Sequence, residues 1–124
     1  MTAFVWVAIG GAAGACSRYA VGLALGRSAA AWATLSVNVI GCLLMGFIWH
    51  YIAARYPQWW AASGAPLLVT GFCGAFTTMS AFAFESRQLA IMVGNWQAVA
   101  YVLLTVALSI CALVSGASIA RALL

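Results

Sequence analysis

The chain has 124 residues, 67% hydrophobic and only 5% charged, with a net charge of +4. A soluble domain carries roughly a quarter charged residues, so this chain has no surface to offer water; at about 20 apolar residues per span it holds at most four or five membrane spans, as one domain with no soluble enzyme module. The charge comes from Arg18, Arg27, Arg55, Arg87 and Arg121, too dispersed for a nucleic-acid patch, and a single His50 and a single Glu85 give no nucleophile–base pair or metal cluster for hydrolysis.

Punctuation divides the chain into four predicted helices, roughly residues 2–25, 32–54, 64–93 and 97–123. The first lacks a basic start and stays apolar past Arg18 to about Leu25, so it reads as a retained span rather than a signal peptide. Gly26-Arg27-Ser28 ends it. The second stops at Arg55-Tyr56-Pro57, where proline cannot continue a helix. Ser63 and Pro66 are start signals for the third, which ends at Gly94-Asn95. All six tryptophans fall at segment ends or in loops, as an interfacial belt requires. No stretch alternates in the way of a membrane strand. Cys16, Cys42, Cys73 and Cys111 fall one per segment, which suits small apolar packing residues better than a disulfide framework.

With an even number of spans, both termini and the 55–62 loop share a side, which holds Arg55 and Arg121. The other side holds Arg27 and Arg87, with Glu85 nearby and Arg18 ambiguous. Lys/Arg asymmetry sets orientation, and so even a split suits insertion both ways and an antiparallel dimer of inverted copies. A single orientation fixed by Arg18 is the other reading. A four-helix subunit has little interior to spare, which favours a pathway between or alongside subunits.

Polar groups inside hydrocarbon each need a partner or a purpose. Arg18 lies about 10 Å of helix before the end of its segment; it either snorkels or faces a vestibule where it concentrates anions. Asn38 sits about two turns into the second helix, in ATLSVNVIG (residues 33–41), with Thr34 and Gly41 on the same polar and small face. The third segment carries GFCGAFTTMS at residues 71–80. Two glycines, two threonines and a serine there weaken a helix where lipid would punish free backbone groups, so this helix is expected to break near its middle. Broken helices at that depth line cavities or hold ions, although a kinked packing helix is the plainer alternative. Met79 and Phe82, spaced i, i+3, share a face, and an aromatic ring edge is the positive part of its quadrupole.

At these residues the chain resembles the fluoride channel family, the Fluc or CrcB proteins, over all four segments. GGAAGACSRY (residues 10–19) resembles the family's GG-x-x-GA-x-x-R opening, ATLSVNVIG its GTL-x-VN-x-x-G motif, and GFCGAFTTMSAFAFE (residues 71–85) its GFCGG-x-TTFSTF-x-x-E motif. The resemblance implies a passive, fluoride-selective channel that exports cytoplasmic fluoride. It implies an all-α fold of four transmembrane helices per subunit, assembled as an antiparallel, dual-topology homodimer in the lipid bilayer of a bacterial inner membrane, with no nucleic-acid partner. It further implies a central structural sodium ion held by backbone carbonyls matching Gly74 and Thr77 of each subunit. Asn38 matches the pore asparagine, Phe82 a pore phenylalanine, Arg18 the arginine near the vestibule, Ser80 a hydroxyl donor and Ser109 a member of the polar track. Met79 stands where the first pore phenylalanine is expected, Ala81 where a threonine is, and Ala33 and Ala75 where glycines are.

A small multidrug resistance-type proton-coupled exporter is also a four-span, dual-topology protein. It needs a membrane carboxylate, expected in the first helix, whereas this chain's single acid is Glu85 near the end of the third. A nonconducting assembly subunit is the remaining alternative.

Overall fold

The computed structural model describes residues 2–124, at Arg27 the backbone alone. Every described element is helical: α1 (Thr2–Leu25), α2 (Ala30–Arg55), α3 (Pro57–Trp59), a wide-wound π-helical stretch (Trp60–Cys73), α4 (Gly74–Phe76), α5 (Met79–Met92) and α6 (Asn95–Ala122), with a short 3-10 turn at Arg27–Ala29. From α3 to α5 they form one span, Pro57–Met92, and with α1, α2 and α6 the chain has four helices long and apolar enough to cross a membrane. The protein is a multi-pass membrane protein.

The third span begins earlier than the expected start near residue 64. Proline lacks an N–H and has a helical φ, so Pro57 occupies the first position of α3, where no donor is needed. The chain then winds on through Ser63 and Pro66. Pro66 can sit inside this helix because the wider π turn departs from the i→i−4 ladder that a proline interrupts.

Glycines decide which helices touch. A Cβ on Gly10 would strike the Leu67 carbonyl and one on Gly14 the Phe72 carbonyl, so α1 and the π-helical stretch run parallel with backbones in contact. The contact is reciprocal, since a Cβ on Gly71 would lie 2.9 Å from the Gly10 Cα. In the same way Gly46 of α2 faces the Leu113 carbonyl and Gly116 of α6 faces the Leu43 carbonyl. The subunit is therefore two parallel pairs, α1 with the third span and α2 with α6, set antiparallel to one another. Turns at Gly26 (φ 82°) and Gly94 (φ 147°) join them where a side chain would be strained.

Polar bonds tie α2 to α6 at one end. Arg121 has only donors, so its Nη2 donates to His50 Nε2 at 3.2 Å, and the ring's other nitrogen donates to the Gly46 carbonyl at 2.9 Å. Little of the chain is enclosed: Val37 and Cys73 are the largest fully buried side chains. Most of each span faces outward, toward lipid or another chain.

Candidate functional site: two cavities around a broken helix

The third span breaks at Thr77 and Thr78, whose backbones are extended (ψ 161° and 120°). The expectation of a break near the middle of this helix is met. Two extended residues remove helical hydrogen bonds at a depth where lipid replaces none of them. Asn38 supplies the substitute: the Thr78 N–H donates to its Oδ1 at 2.8 Å, and its Nδ2 donates to the Thr78 carbonyl at 3.2 Å. Asn38 lies eight residues into α2, about 12 Å along it, so the break is held inside the hydrocarbon. Thr77 closes the helix before the break, its hydroxyl donating to the Cys73 carbonyl at 2.9 Å. Thr78 opens the helix after it, its hydroxyl accepting from the Ala81 N–H at 3.3 Å. Gly41 is what lets α2 come this close, because a Cβ there would strike the Thr77 methyl.

These replacements change the carbonyls at the break. In an unbroken helix the Thr78 N–H would serve the Gly74 carbonyl and the Ala81 N–H the Thr77 carbonyl. Here both N–H groups go to side-chain oxygens, on Asn38 and on Thr78. Gly74 and Thr77 are thus among the residues whose carbonyls lose their helical donors, as are Ala75 and Phe76, whose donors would be the Met79 and Ser80 N–H groups across the extended break.

A cavity of about 650 Å³ opens on one side of the break. Arg18, Thr34, Thr78, Ala81 and Glu85 are among its lining residues. Arg18 lies on the wall of this cavity, a vestibule it shares with Glu85.

A second cavity, about 290 Å³, lies on the other side of the break. Asn38, Met79, Phe82 and Ser109 line it together, so four of the residues singled out in the sequence meet here. Phe82 is buried and Met79 is exposed at the cavity's edge. Asn38 arrives with one amide hydrogen already committed to Thr78 and one remaining. Ser80 lines neither cavity; its hydroxyl reaches only Thr78 Oγ1, at 3.4 Å.

Two residues not singled out in the sequence belong to this site, Thr105 on the cavity wall and Tyr101 packed against Phe82. Thr105 lines the second cavity beside Ser109, and the hydroxyls of both are buried without a well-formed hydrogen bond among the described residues, Thr105 standing beside the Tyr101 hydroxyl and Ser109 beside the Cys42 thiol. Tyr101, one turn earlier on α6, packs its ring 5.6 Å from that of Phe82 and donates its hydroxyl to Glu85 Oε2 at 3.2 Å. Tyr101, Thr105 and Ser109 are spaced four apart on one face of α6, in its mostly apolar middle. That spacing is visible in the sequence and was the signal that could have found them.

The chain matches the family model described as CrcB-like protein, Camphor Resistance (CrcB), over residues 5–117. It is 41% identical over 122 residues to the fluoride-specific ion channel FluC of Paracoccus denitrificans, covering 97% of this chain and 95% of that one. To the protein of the same name from Rhizobium etli (strain CIAT 652) it is 42% identical over 123 residues, 94% of each chain. To fluoride-specific ion channel FluC 2 of Listeria monocytogenes serotype 4b it is 42% identical over 106 residues, 81% of this chain and 76% of that one. With the matches running through both cavities and the break between them, this chain belongs to the CrcB family.

Proposed function

We propose that the protein is a passive, fluoride-selective channel. The observation that carries this reading is the second cavity, where two buried hydroxyls stand beside a buried phenylalanine; neither makes a well-formed hydrogen bond among the described residues, Thr105 having only the Tyr101 hydroxyl and Ser109 only the Cys42 thiol beside it. A buried polar group without a partner costs about 1–3 kcal/mol, and an anion that accepts from both hydroxyls offsets that cost. Fluoride is the halide best matched to a few strong donors, since it is small and must trade a tight water shell for hydrogen bonds. Thr105, Ser109 and the remaining Asn38 N–H donate, and Phe82 offers its ring edge. Largely apolar walls leave a larger, softer anion such as chloride without compensation. Arg18 in the vestibule raises the local anion concentration. The names of the relatives support the same ion.

The working unit we propose is an antiparallel homodimer. On a single chain Gly74, Met79 and Ser80 are exposed at the level of the break. Lipid offers those backbone groups nothing, whereas a second copy covers them. The carbonyls of Gly74 and Thr77 fit a structural sodium ion there: they are hard oxygen donors released from their helical partners. When bound, the ion would neutralise the dipoles of these carbonyls and so stabilise the broken helix; it is not transported.

Proteoliposomes loaded with fluoride test the function. Efflux should run down the fluoride gradient without a proton gradient, and chloride-loaded vesicles should stay closed. Efflux that needs a proton gradient would replace the channel with an exporter. Complete replacement of sodium should reduce activity; indifference to it would remove the sodium site.

A further inference from the structure

Among the described residues, Thr78 is the single one common to the walls of both cavities. It is 8% exposed, and its backbone is held on both sides by Asn38, at 2.8 and 3.2 Å. The main chain here is therefore anchored, and the side chain is the part that can respond to an ion.

The state of its hydroxyl is unusual for a helix cap. A hydroxyl has one hydrogen and two lone pairs. One lone pair accepts from the Ala81 N–H at 3.3 Å, which is the capping bond. Among the described residues the hydrogen has one partner, Ser80 Oγ at 3.4 Å, a long contact in which either oxygen can donate. When Ser80 donates, both lone pairs of Thr78 are occupied and its hydrogen is free to turn toward an anion. Capping and donation are thus compatible in one side chain.

We propose that the Thr78 hydroxyl is the transfer donor of the pathway, handing fluoride from the Arg18 vestibule to the cavity of Thr105, Ser109 and Phe82. This rests on the reading of the protein as a fluoride channel. An ion leaving the vestibule has given up part of its water and has not yet reached the inner hydroxyls. A donor shared by both walls bridges that gap, and a small hard anion gains most from it. The hydroxyl thereby becomes a determinant of selectivity at the passage between the cavities. Ser80, which lines neither, acts through Thr78 as a positioning residue by donating to it.

The test uses the full-length protein in proteoliposomes at matched amounts of assembled protein. Thr78→Val keeps the shape and the backbone bonds to Asn38 but removes the hydroxyl; Thr78→Ser keeps the hydroxyl. Thr78→Val should lower fluoride efflux about tenfold or more, the effect of one lost hydrogen bond to the ion at its barrier, and Thr78→Ser should restore it to within about threefold of the parent. Thermal melting separates the cap from the donor, because loss of the cap lowers the melting temperature of the valine variant without altering flux per assembled channel. If the valine variant melts lower but conducts within about twofold of the parent, Thr78 is a cap only and the proposal is overturned. Serine and valine variants that fail equally also overturn it, since the hydroxyl then is not what matters. A parent protein that moves no fluoride defeats the channel reading itself, an outcome distinct from either.

Discussion

Asn38 and Thr78, forty residues apart, are joined by two hydrogen bonds that replace a missing turn of helix. The side-chain amide copies the donor and acceptor of a peptide group, so only a carboxamide of this reach satisfies both. Asn38→Ala should abolish fluoride efflux and also lower the melting temperature, because the Thr78 N–H and carbonyl are left unpaired at about 1–3 kcal/mol each. A variant that loses flux yet melts like the parent would show that Asn38 serves the ion alone.

Thr105 and Ser109 should behave in the opposite way. Their hydroxyls are buried without a well-formed hydrogen bond among the described residues, so removing them relieves a cost rather than creating one. Thr105→Val and Ser109→Ala should each leave stability equal to the parent or raise it by about 1 kcal/mol, while fluoride efflux falls. Loss of stability on either substitution would mean that these hydroxyls are structural.

Phe82 and Met79 share the second cavity with unequal burial. Phe82→Ala should abolish flux in protein that still assembles, since no other ring edge lines that cavity. Met79→Ala should reduce flux less, because a thioether fills volume but has no comparable quadrupole. Met79→Phe should keep or increase it. Equal flux from Phe82→Ala and the parent would leave the ring as packing only.

Glu85 and Tyr101 decide between channel and exporter. A proton carrier must release its proton to both sides, whereas this carboxylate is held by Tyr101 at 3.2 Å on the vestibule side. Glu85→Gln should leave fluoride efflux independent of the proton gradient, as in the parent. If the parent drives efflux with protons and Glu85→Gln alone stops it, the exporter reading wins.

Orientation is tested at Ala30, exposed at the start of α2. In a background cleared of Cys16, Cys42, Cys73 and Cys111, an Ala30→Cys variant should label from both sides of the membrane. Labelling from one side only would rule out dual topology and with it the antiparallel dimer.

Composition and punctuation were enough to read four apolar helices, their turns at Gly26 and Gly94, and the weak point at residues 71–80, because all of these are local. The cost of apolar surface in water, the missing N–H of proline and the conformational freedom of glycine act where the residue stands. The start of the third span was misplaced by several residues for a related reason: Pro57 and Pro66 are both permitted near a helix start, and only the wide turn around Pro66 settles which one begins it.

The site divided differently. Asn38, Met79, Phe82 and Ser109 were legible as polar or aromatic residues in apolar spans, as was Arg18. What each does depends on residues distant in the chain, so tertiary structure alone placed Asn38 on the Thr78 backbone, Arg18 on the vestibule wall, and Ser80 outside both cavities. Thr105 and Tyr101 went unread because a single hydroxyl in a span is ordinarily bonded to its own helix; only the folded chain buries the Thr105 hydroxyl without a well-formed bond among the described residues and turns that of Tyr101 onto Glu85. The amino-acid sequence alone thus determined that this chain must span a membrane and where its helix must break. Hydrogen-bond supply between helices, which no local pattern encodes, decided which groups at that break are satisfied.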